Sequence, residues 1–213
     1  MPNTYLPIGF SVKDKRCLVV GGGEVAVRKI ETLLDYDCRI TVIAPDPAER
    51  IERLANAERL TLMKRAYRSP EASKFALVVS ASSHRDVNKT VARDCEAAGV
   101  LVNVVDSPSL CGFIFPAILK RDNLTVAVST DGKSPFLAGH LRLILEGVFP
   151  ERWKKIAKAA ADFRTMVRKR WAESPKDRAA CYERFVAADW KEILKGKKDP
   201  AAIESELERL LEA

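Results

Sequence analysis

The sequence predicts an α/β fold: a doubly wound parallel sheet, then a small α+β dimerisation region, then a helical C-terminal region. Short apolar runs of strand length alternate with helix-forming segments as far as Val105, which is the pattern of βαβ units. The first of these runs ends at three consecutive glycines that open a helix. After Pro108 the alternation stops, and the rest of the chain favours a hairpin followed by helices.

The predicted strands and helices of the first part follow one another in order along the chain. Apolar runs predict strands at residues 17–20, 39–44, 60–63, 75–81 and 100–105. Apolar residues at helical spacing predict helices at 24–36, 49–57 and 85–98. Pro45 and Pro47 end the second strand, and Gly99 ends the third helix. These elements are expected to form a Rossmann-type domain over residues 1–112.

The second part begins with two strand-like segments, 113–119 and 124–130, joined by a turn. Ser134 is the expected N-cap of the next helix, and Pro135 its first residue. Helices are then expected to the end of the chain, with breaks at 174–175 and 196–200. We therefore predict a dimerisation region (hairpin plus helix) at 113–150 and a helical domain at 151–213. The many apolar faces of these segments predict a homodimer formed through residues after about 112.

The composition is that of an ordinary soluble protein and argues against several kinds of site. The chain shows no signal-peptide pattern and no apolar run near the ~18 residues of a membrane span, so we expect a cytoplasmic protein with no membrane partner. The five cysteines are scattered without a C-x-x-C pair, which argues against a zinc site or a disulfide framework. With only His84 and His140 present, we predict no metal site.

The positive charge is concentrated in the last third of the chain. Lys and Arg number 36 against 29 Asp and Glu, a net charge of +7. Residues 152–171 contain eight basic residues and a single acidic one, Asp162. This excess suits nucleic acid, a small substrate with many carboxylates, or simply a solvated helix face.

The glycine-rich junction predicts a dinucleotide site. Gly21, Gly23 and Ala26 form the G-x-G-x-x-G/A pattern between a strand and a helix, where backbone amides and the helix dipole favour a pyrophosphate. Gly21 permits the tight turn, Gly23 lets the backbone approach the pyrophosphate, and Ala26 lets helix and strand pack closely. The alternative is a glycine turn without a ligand. Asp46, after the second strand, is the candidate partner of a ribose, which favours NAD over NADP.

Two further polar groups follow predicted strands. Asp106 stands just beyond the fifth strand, at the edge where ligands of open α/β sheets bind, and a carboxylate there can act as a general base. An ordinary turn aspartate before Ser-Pro is the alternative, and Asn103 is placed to orient a neighbour. The polar loop 129–134, with Thr130, Lys133 and Ser134, precedes a helix and suits a carboxylate or phosphate. An ordinary capped loop explains it equally well.

Five motifs in order resemble the siroheme synthase family, in its precorrin-2 dehydrogenase/sirohydrochlorin ferrochelatase module. The motifs are YLPI at 5–8, VVGGGEVAVRK at 19–29, NVVDSP at 103–108, FIFPA at 113–117 and VAVSTDGKSP at 126–135. The resemblance covers about the first 150 residues closely and the helical remainder loosely. We expect the methyltransferase domain that is fused to this module in some members to be absent, since the sequence ends at Ala213.

The resemblance implies NAD-dependent oxidation of precorrin-2 to sirohydrochlorin, with Asp106 as the active-site base. In bifunctional members it also implies insertion of Fe(II) to give siroheme. Here Thr130, Asp131 and Lys133 replace part of the Ser and Gly run of those members. The cofactor contacts implied by motif and resemblance together are Gly21, Gly22, Gly23, Glu24, Val25, Pro45 and Asp46.

A hypothesis from another class is an NAD(H)-sensing regulator whose basic segment 152–171 binds nucleic acid. It leaves Asp106 without a task, and the segment shows no evident helix-turn-helix pattern. We therefore predict a tetrapyrrole substrate, with Fe(II) as a second substrate in the bifunctional case, and no nucleic-acid partner.

Overall fold

The computed structural model describes residues 4–194 and 200–212. The chain divides into two compact units, Met1–Phe115 and Pro116–Ala213. The predicted helix break at 196–200 lies outside the described residues except for Pro200, where the last helix begins. The predicted domain boundaries at 112 and 150 stay a prediction.

The first unit is a five-stranded parallel sheet with helices on both faces. Its strands, in the order β3-β2-β1-β4-β5, are β1 Arg16–Val20, β2 Arg39–Ile43, β3 Thr61–Met63, β4 Leu77–Ser80 and β5 Leu101–Val104. Its α-helices are α1 Glu24–Leu34, α2 Glu49–Asn56 and α3 Arg85–Ala98. The chain runs outward from β1 to β3 on one side and then returns to β4 on the other. The order therefore reverses between β1 and β4, where open α/β sheets bind ligands.

The apolar runs are buried on both faces of the sheet, as predicted. Cys17 and Val19 of β1 face a core formed with α1 and α2, whereas Leu18 and Val20 face a second core formed with α3. Because successive side chains of a strand point to opposite faces, this alternation places the helices on both sides of the sheet. The predicted doubly wound fold is confirmed.

The second unit contains an antiparallel hairpin and five helices in its described part. The strands are β6 Ala117–Arg121 and β7 Leu124–Val128, and the helices are α4 Pro135–Val148, α5 Trp153–Arg170, α6 Pro175–Ala187, α7 Trp190–Ile193 and α8 Pro200–Glu212. Phe163 stacks on Phe185, and Trp190 packs against Phe185 at a tilt of 41°, within a helical core. None of the helices in the described ranges is long and apolar enough to span a membrane.

The first strand of the hairpin begins later than predicted, at Ala117 instead of residue 113. Phe113 and Phe115 instead pack against the core that lies beside α1, with their ring centres 5.2 Å apart. Their burial in the first unit outweighs the strand preference of the segment.

Candidate functional site

A pocket of about 1310 Å³ lies at the carboxyl ends of the strands of the first unit. It is bordered by the loops that follow β1, β2, β4 and β5, on either side of the point where the strand order reverses. The residues that line it are Gly21, Gly22, Gly23, Glu24, Val25, Pro45, Asp46, Ala81, Ser82, Ser83, His84, Arg85, Asn88, Lys89, Val105, Asp106, Ser107, Pro108, Ser109 and Leu110. The predicted cofactor residues and Asp106, far apart in sequence, thus meet around one cavity.

The three glycines of the turn differ in the space around each Cα. Gly21 has φ +123°, and a Cβ there would lie 2.4 Å from the carbonyl oxygen of Ala81. A Cβ on Gly22 would lie 2.7 Å from the carbonyl oxygen of Asp46, so this glycine permits the loop after β2 to pack against the turn. A Cβ on Gly23 would have no atom within 4 Å. Gly21 and Gly22 therefore allow neighbouring loops to pack against the turn, while Gly23 leaves open space at the start of the helix.

The start of α1 is suited to an anion. Gly23 is the N-cap and has no side chain to satisfy the amides of the first turn. Because these N–H groups lack intrahelical acceptors and the helix dipole is positive at this end, they can bind a phosphate oxygen. Ala26 is fully buried against the sheet, as predicted.

The loop after β2 places Pro45 and Asp46 at the rim of the pocket, both exposed. The Ala48 N–H donates to the Gly22 carbonyl at 2.8 Å and holds this loop against the glycine turn. A carboxylate at this position can accept hydrogen bonds from ribose hydroxyls.

Asp106 is exposed and has the left-handed backbone conformation, with φ +56°. Aspartate tolerates this conformation better than most residues, because its short side chain can bond locally. The Ser107 N–H donates to the Val104 carbonyl at 3.2 Å, so the chain turns tightly just after β5. This turn places Asp106 in the lining of the pocket.

The thiol of Cys111 supports the same turn. It accepts from the Val104 N–H at 3.2 Å and lies within donating distance of the carbonyl oxygens of Val104 (3.2 Å) and Ser107 (3.4 Å). Asn103, 9% exposed, donates to the Phe113 carbonyl at 3.0 Å. Asn103 therefore orients the segment after Cys111, a role that strand alternation alone could not specify.

Lys29 of α1 lies near this segment, with its Nζ 4.2 Å from the centre of the Phe115 ring. Burial lowers the pKa of Lys29, the neighbouring Arg28 lowers it further, and Cys111 partly offsets these effects. The face of an aromatic ring attracts the ammonium group and compensates part of its lost hydration.

A buried polar cluster beside the pocket was missed by the sequence analysis. It consists of Ser80 at the end of β4, Ser82 in the following loop and Asn88 of α3, joined by hydrogen bonds. The available signal was the helical spacing of Asn88 from the buried residues Val91 and Cys95. That spacing places an amide within an otherwise apolar stripe.

The predicted substrate residues Thr130, Lys133 and Ser134 lie in the second unit, in the loop before α4. Ser134 is the N-cap of α4, but its side chain makes no capping bond. Instead its N–H donates to the Thr130 hydroxyl at 3.0 Å. Lys133 Nζ lies 3.5 Å from an Asp131 carboxylate oxygen, which neutralises part of its charge. Their contact with a substrate stays a prediction.

Potential metal ligands are dispersed in the part of the chain that the structure describes. No group of three His, Cys, Asp or Glu residues there is placed to hold a metal ion.

Comparisons with known proteins agree with this architecture. The siroheme synthase of Methylococcus capsulatus is 42% identical over 198 residues, which are 92% of this chain and 42% of that protein. The siroheme synthase of Nitrosomonas europaea is 39% identical over 199 residues, 93% of this chain and 42% of that protein. The predicted resemblance is thus confirmed, although the chain spans less than half the length of these relatives.

A solved structure described as SirC, precorrin-2 dehydrogenase, has the same fold, with a TM-score of 0.72 and 23% identity. The similarity covers 98% of this chain and all of that one. Residues 8–117, more than half of the chain, match the family described as "Putative NAD(P)-binding". The glycine turn, the acid after β2 and the strand reversal lie within that range. The chain therefore belongs to this NAD(P)-binding family.

Proposed function

We propose that the protein oxidises precorrin-2 to sirohydrochlorin with NAD⁺. The observation that carries the proposal is the presence of Asp106 and the dinucleotide turn on one pocket. A general base must lie near the substrate atom whose proton it removes, and the hydride acceptor must lie against the same substrate molecule. The similarity to siroheme synthases supplies the identity of the substrate.

NAD⁺, when bound, supplies the acceptor for the hydride. The amides at the start of α1 hold its pyrophosphate, and Gly23 leaves room for that approach. Asp46 accepts hydrogen bonds from the adenosine ribose and repels an additional phosphate there, which favours NAD over NADP. Glu24, Val25 and Pro45 border the same cavity.

Asp106 takes the proton that the macrocycle loses when it gives up a hydride. The substrate thus loses two hydrogens in all, one as hydride and one as a proton held on the Asp106 carboxylate. Its several carboxylates match the excess positive charge of the chain. Thr130, Lys133 and Ser134 are our proposed contacts for these carboxylates.

The proposal is tested by following sirohydrochlorin formation spectrophotometrically with precorrin-2 and NAD⁺. Asp106→Asn keeps the size of the side chain but cannot take a proton, so we expect kcat to fall about 100-fold or more while NAD⁺ still binds. Asp122→Asn is the matched control, because Asp122 is also exposed and has φ +58°. A wild-type protein that forms no sirohydrochlorin would contradict the function. Full activity of Asp106→Asn would remove this residue from the mechanism.

Insertion of Fe(II) into sirohydrochlorin is a separate hypothesis that no contact among the described residues favours. It is tested by supplying sirohydrochlorin and Fe(II) without NAD⁺ and comparing the rate with a protein-free control.

The regulator hypothesis is tested by a gel shift on duplex DNA, where binding lost at moderate salt indicates charge alone. The proposed location is the cytoplasm. The proposed assembly is a homodimer, which the exposed apolar side chains of α4 support.

A further inference from the structure

Asn88 is a buried amide that connects α3 to the loop following β4. It is 8% exposed and borders the pocket, and its neighbour Ser80 is fully buried. Asn88 Oδ1 accepts from the Ser80 hydroxyl at 2.7 Å and from the Ser82 N–H at 3.2 Å. Asn88 Nδ2 donates to the Ser82 carbonyl at 2.9 Å. One side chain thus binds both backbone polar groups of Ser82.

The chemistry of these contacts requires an amide at position 88. The Ser82 N–H can only donate and the Ser82 carbonyl can only accept, so the partner must offer an acceptor and a donor side by side. A carboxylate would place a second oxygen against the Ser82 carbonyl. An aliphatic side chain would leave the buried Ser80 hydroxyl and the partly buried Ser82 peptide without these partners. Unsatisfied buried groups are costly.

The loop that Asn88 holds lies directly against the glycine turn. The Ala81 N–H donates to the Val20 carbonyl at 2.7 Å, and the Ala81 carbonyl occupies the place that a Cβ on Gly21 would need. The Ser82 hydroxyl also accepts from the His84 N–H at 3.1 Å. Ser82 is therefore connected through Ala81 to the glycine turn and through its own hydroxyl to the start of α3.

We propose that Asn88 is a positioning residue for the dinucleotide. By fixing the Ser82 peptide, it holds the loop 81–84 in the shape that borders the pocket beside the glycine turn. Asn88 acts through this loop and not as a general acid or base. The inference rests on the dinucleotide site of the proposed function, and not on the identity of the substrate.

The test measures the Kd for NAD⁺ by calorimetry, with the full chain and no second substrate. We expect Asn88→Asp to raise the Kd about tenfold or more, and Ser80→Ala, which spares both bonds to Ser82, to raise it about threefold or less. Asn88→Ser, which cannot reach both Ser82 groups, is expected to raise the Kd about as much as Asn88→Asp. Asn56→Asp, an exposed position at the end of α2, is the control for the added charge.

Two readouts separate positioning from a general loss of stability. In steady-state assays Asn88→Asp and Asn88→Ser should raise KM for NAD⁺ while KM for precorrin-2 stays within about twofold. A lowered Tm with an unchanged Kd for NAD⁺ would show that the cluster only stabilises the fold, and would overturn the proposal. If Asn88→Asp does not fold, Asn88→Ser and Ser80→Ala decide by the same criterion.

The proposed reaction and this inference can fail separately. If the wild type binds NAD⁺ but does not oxidise precorrin-2, the reaction is contradicted while the calorimetric comparison still judges Asn88. If the wild type binds no NAD⁺ at millimolar concentration, the positioning role is overturned together with the cofactor assignment.

Discussion

At the scale of single residues, substitution of Gly21 is expected to lower stability, whereas substitution of Gly23 is expected to weaken NAD⁺ binding. Gly21→Ala forces a Cβ to 2.4 Å from the Ala81 carbonyl at a φ of +123°, so this variant should unfold more easily. Gly23 has an ordinary φ and open space around its Cα, so Gly23→Ala should keep the wild-type Tm. Its new methyl group would occupy the approach of the pyrophosphate, and we expect the Kd for NAD⁺ to rise at least about tenfold.

Thermal denaturation and calorimetric titration of both variants check this prediction. Gly99→Ala serves as a control for a glycine with positive φ outside the pocket lining, since it should lower Tm without changing NAD⁺ affinity. Undiminished affinity in a folded Gly23→Ala protein would show that the dinucleotide does not approach this turn.

Cys111 is the second residue whose role can be measured. β5 is an edge strand, and the segment after it pairs with its outer side. The Gly112 N–H donates to the Val102 carbonyl at 2.8 Å, and the Cys111 thiol accepts from the Val104 N–H. Cys111→Ala leaves the Val104 N–H without this acceptor and loosens the turn that carries Asp106. We expect kcat to fall about three- to tenfold with KM for NAD⁺ unchanged, and Cys111→Ser to restore part of the loss.

The steady-state oxidation assay measures both constants, and Cys38→Ala is the control for loss of a partly buried thiol. The positioning role of Cys111 is rejected if Cys111→Ala retains full kcat. An equal loss in Cys111→Ser and Cys111→Ala would instead attribute the effect to the bulk of the sulfur.

At the scale of elements, the predictable features are those carried by contiguous sequence. The β1 strand, the glycine turn and α1 follow each other directly, so periodicity and glycine placement were sufficient to predict them. The helical spacing of Asn88 places an amide in a buried stripe, but its bonds to Ser82 depend on the packing of α3 beside β4, which no local pattern encodes. The late start of β6 has the same origin, because Phe113 and Phe115 find apolar partners in the first unit.

Capping shows a smaller difference of the same kind. Position 134 is the N-cap of α4, as predicted from Ser-Pro, yet its hydroxyl makes no cap bond. The acceptor of its N–H is the Thr130 hydroxyl, four residues earlier. The sequence thus predicts where a helix begins more reliably than which side chain satisfies its first amides.

The helix α4 carries the prediction of a homodimer. Phe136 is 83% exposed, and Leu143, Ile144 and Val148 are each more than half exposed in the single chain. Exposed apolar side chains grouped on one element are typical of an interface. Leu143→Glu combined with Ile144→Glu should therefore convert a dimer to a monomer, which sedimentation velocity at micromolar concentration measures. Val186→Glu on α6, also an exposed apolar position, is the matched control. A monomeric wild type, or a double variant that stays dimeric, contradicts this interface.

At the scale of the whole molecule, the net charge predicts how kcat/KM for the substrate depends on salt. The chain carries +7, and an excess charge raises the local concentration of an oppositely charged ligand by an amount that falls with salt. The proposed substrate, precorrin-2, carries many carboxylates, so its kcat/KM should fall severalfold as ionic strength rises from about 10 to 200 mM. NAD⁺ carries less charge, and its kcat/KM should fall less.

A triple variant tests whether the molecule's overall field produces that salt dependence. Lys155, Lys158 and Arg164 are exposed on α5, and changing all three to Glu shifts the net charge by −6, from +7 to +1. Steering by the field predicts a lower kcat/KM for precorrin-2 at low salt, a flatter salt dependence and an unchanged kcat, because the reacting groups are intact. Glutamine at the same three positions, a shift of −3 to +4, should give an intermediate slope. If the slope is the same in all three proteins, the carboxylates of the substrate are recognised by groups at the site, and the basic surface of α5 has no part in its capture.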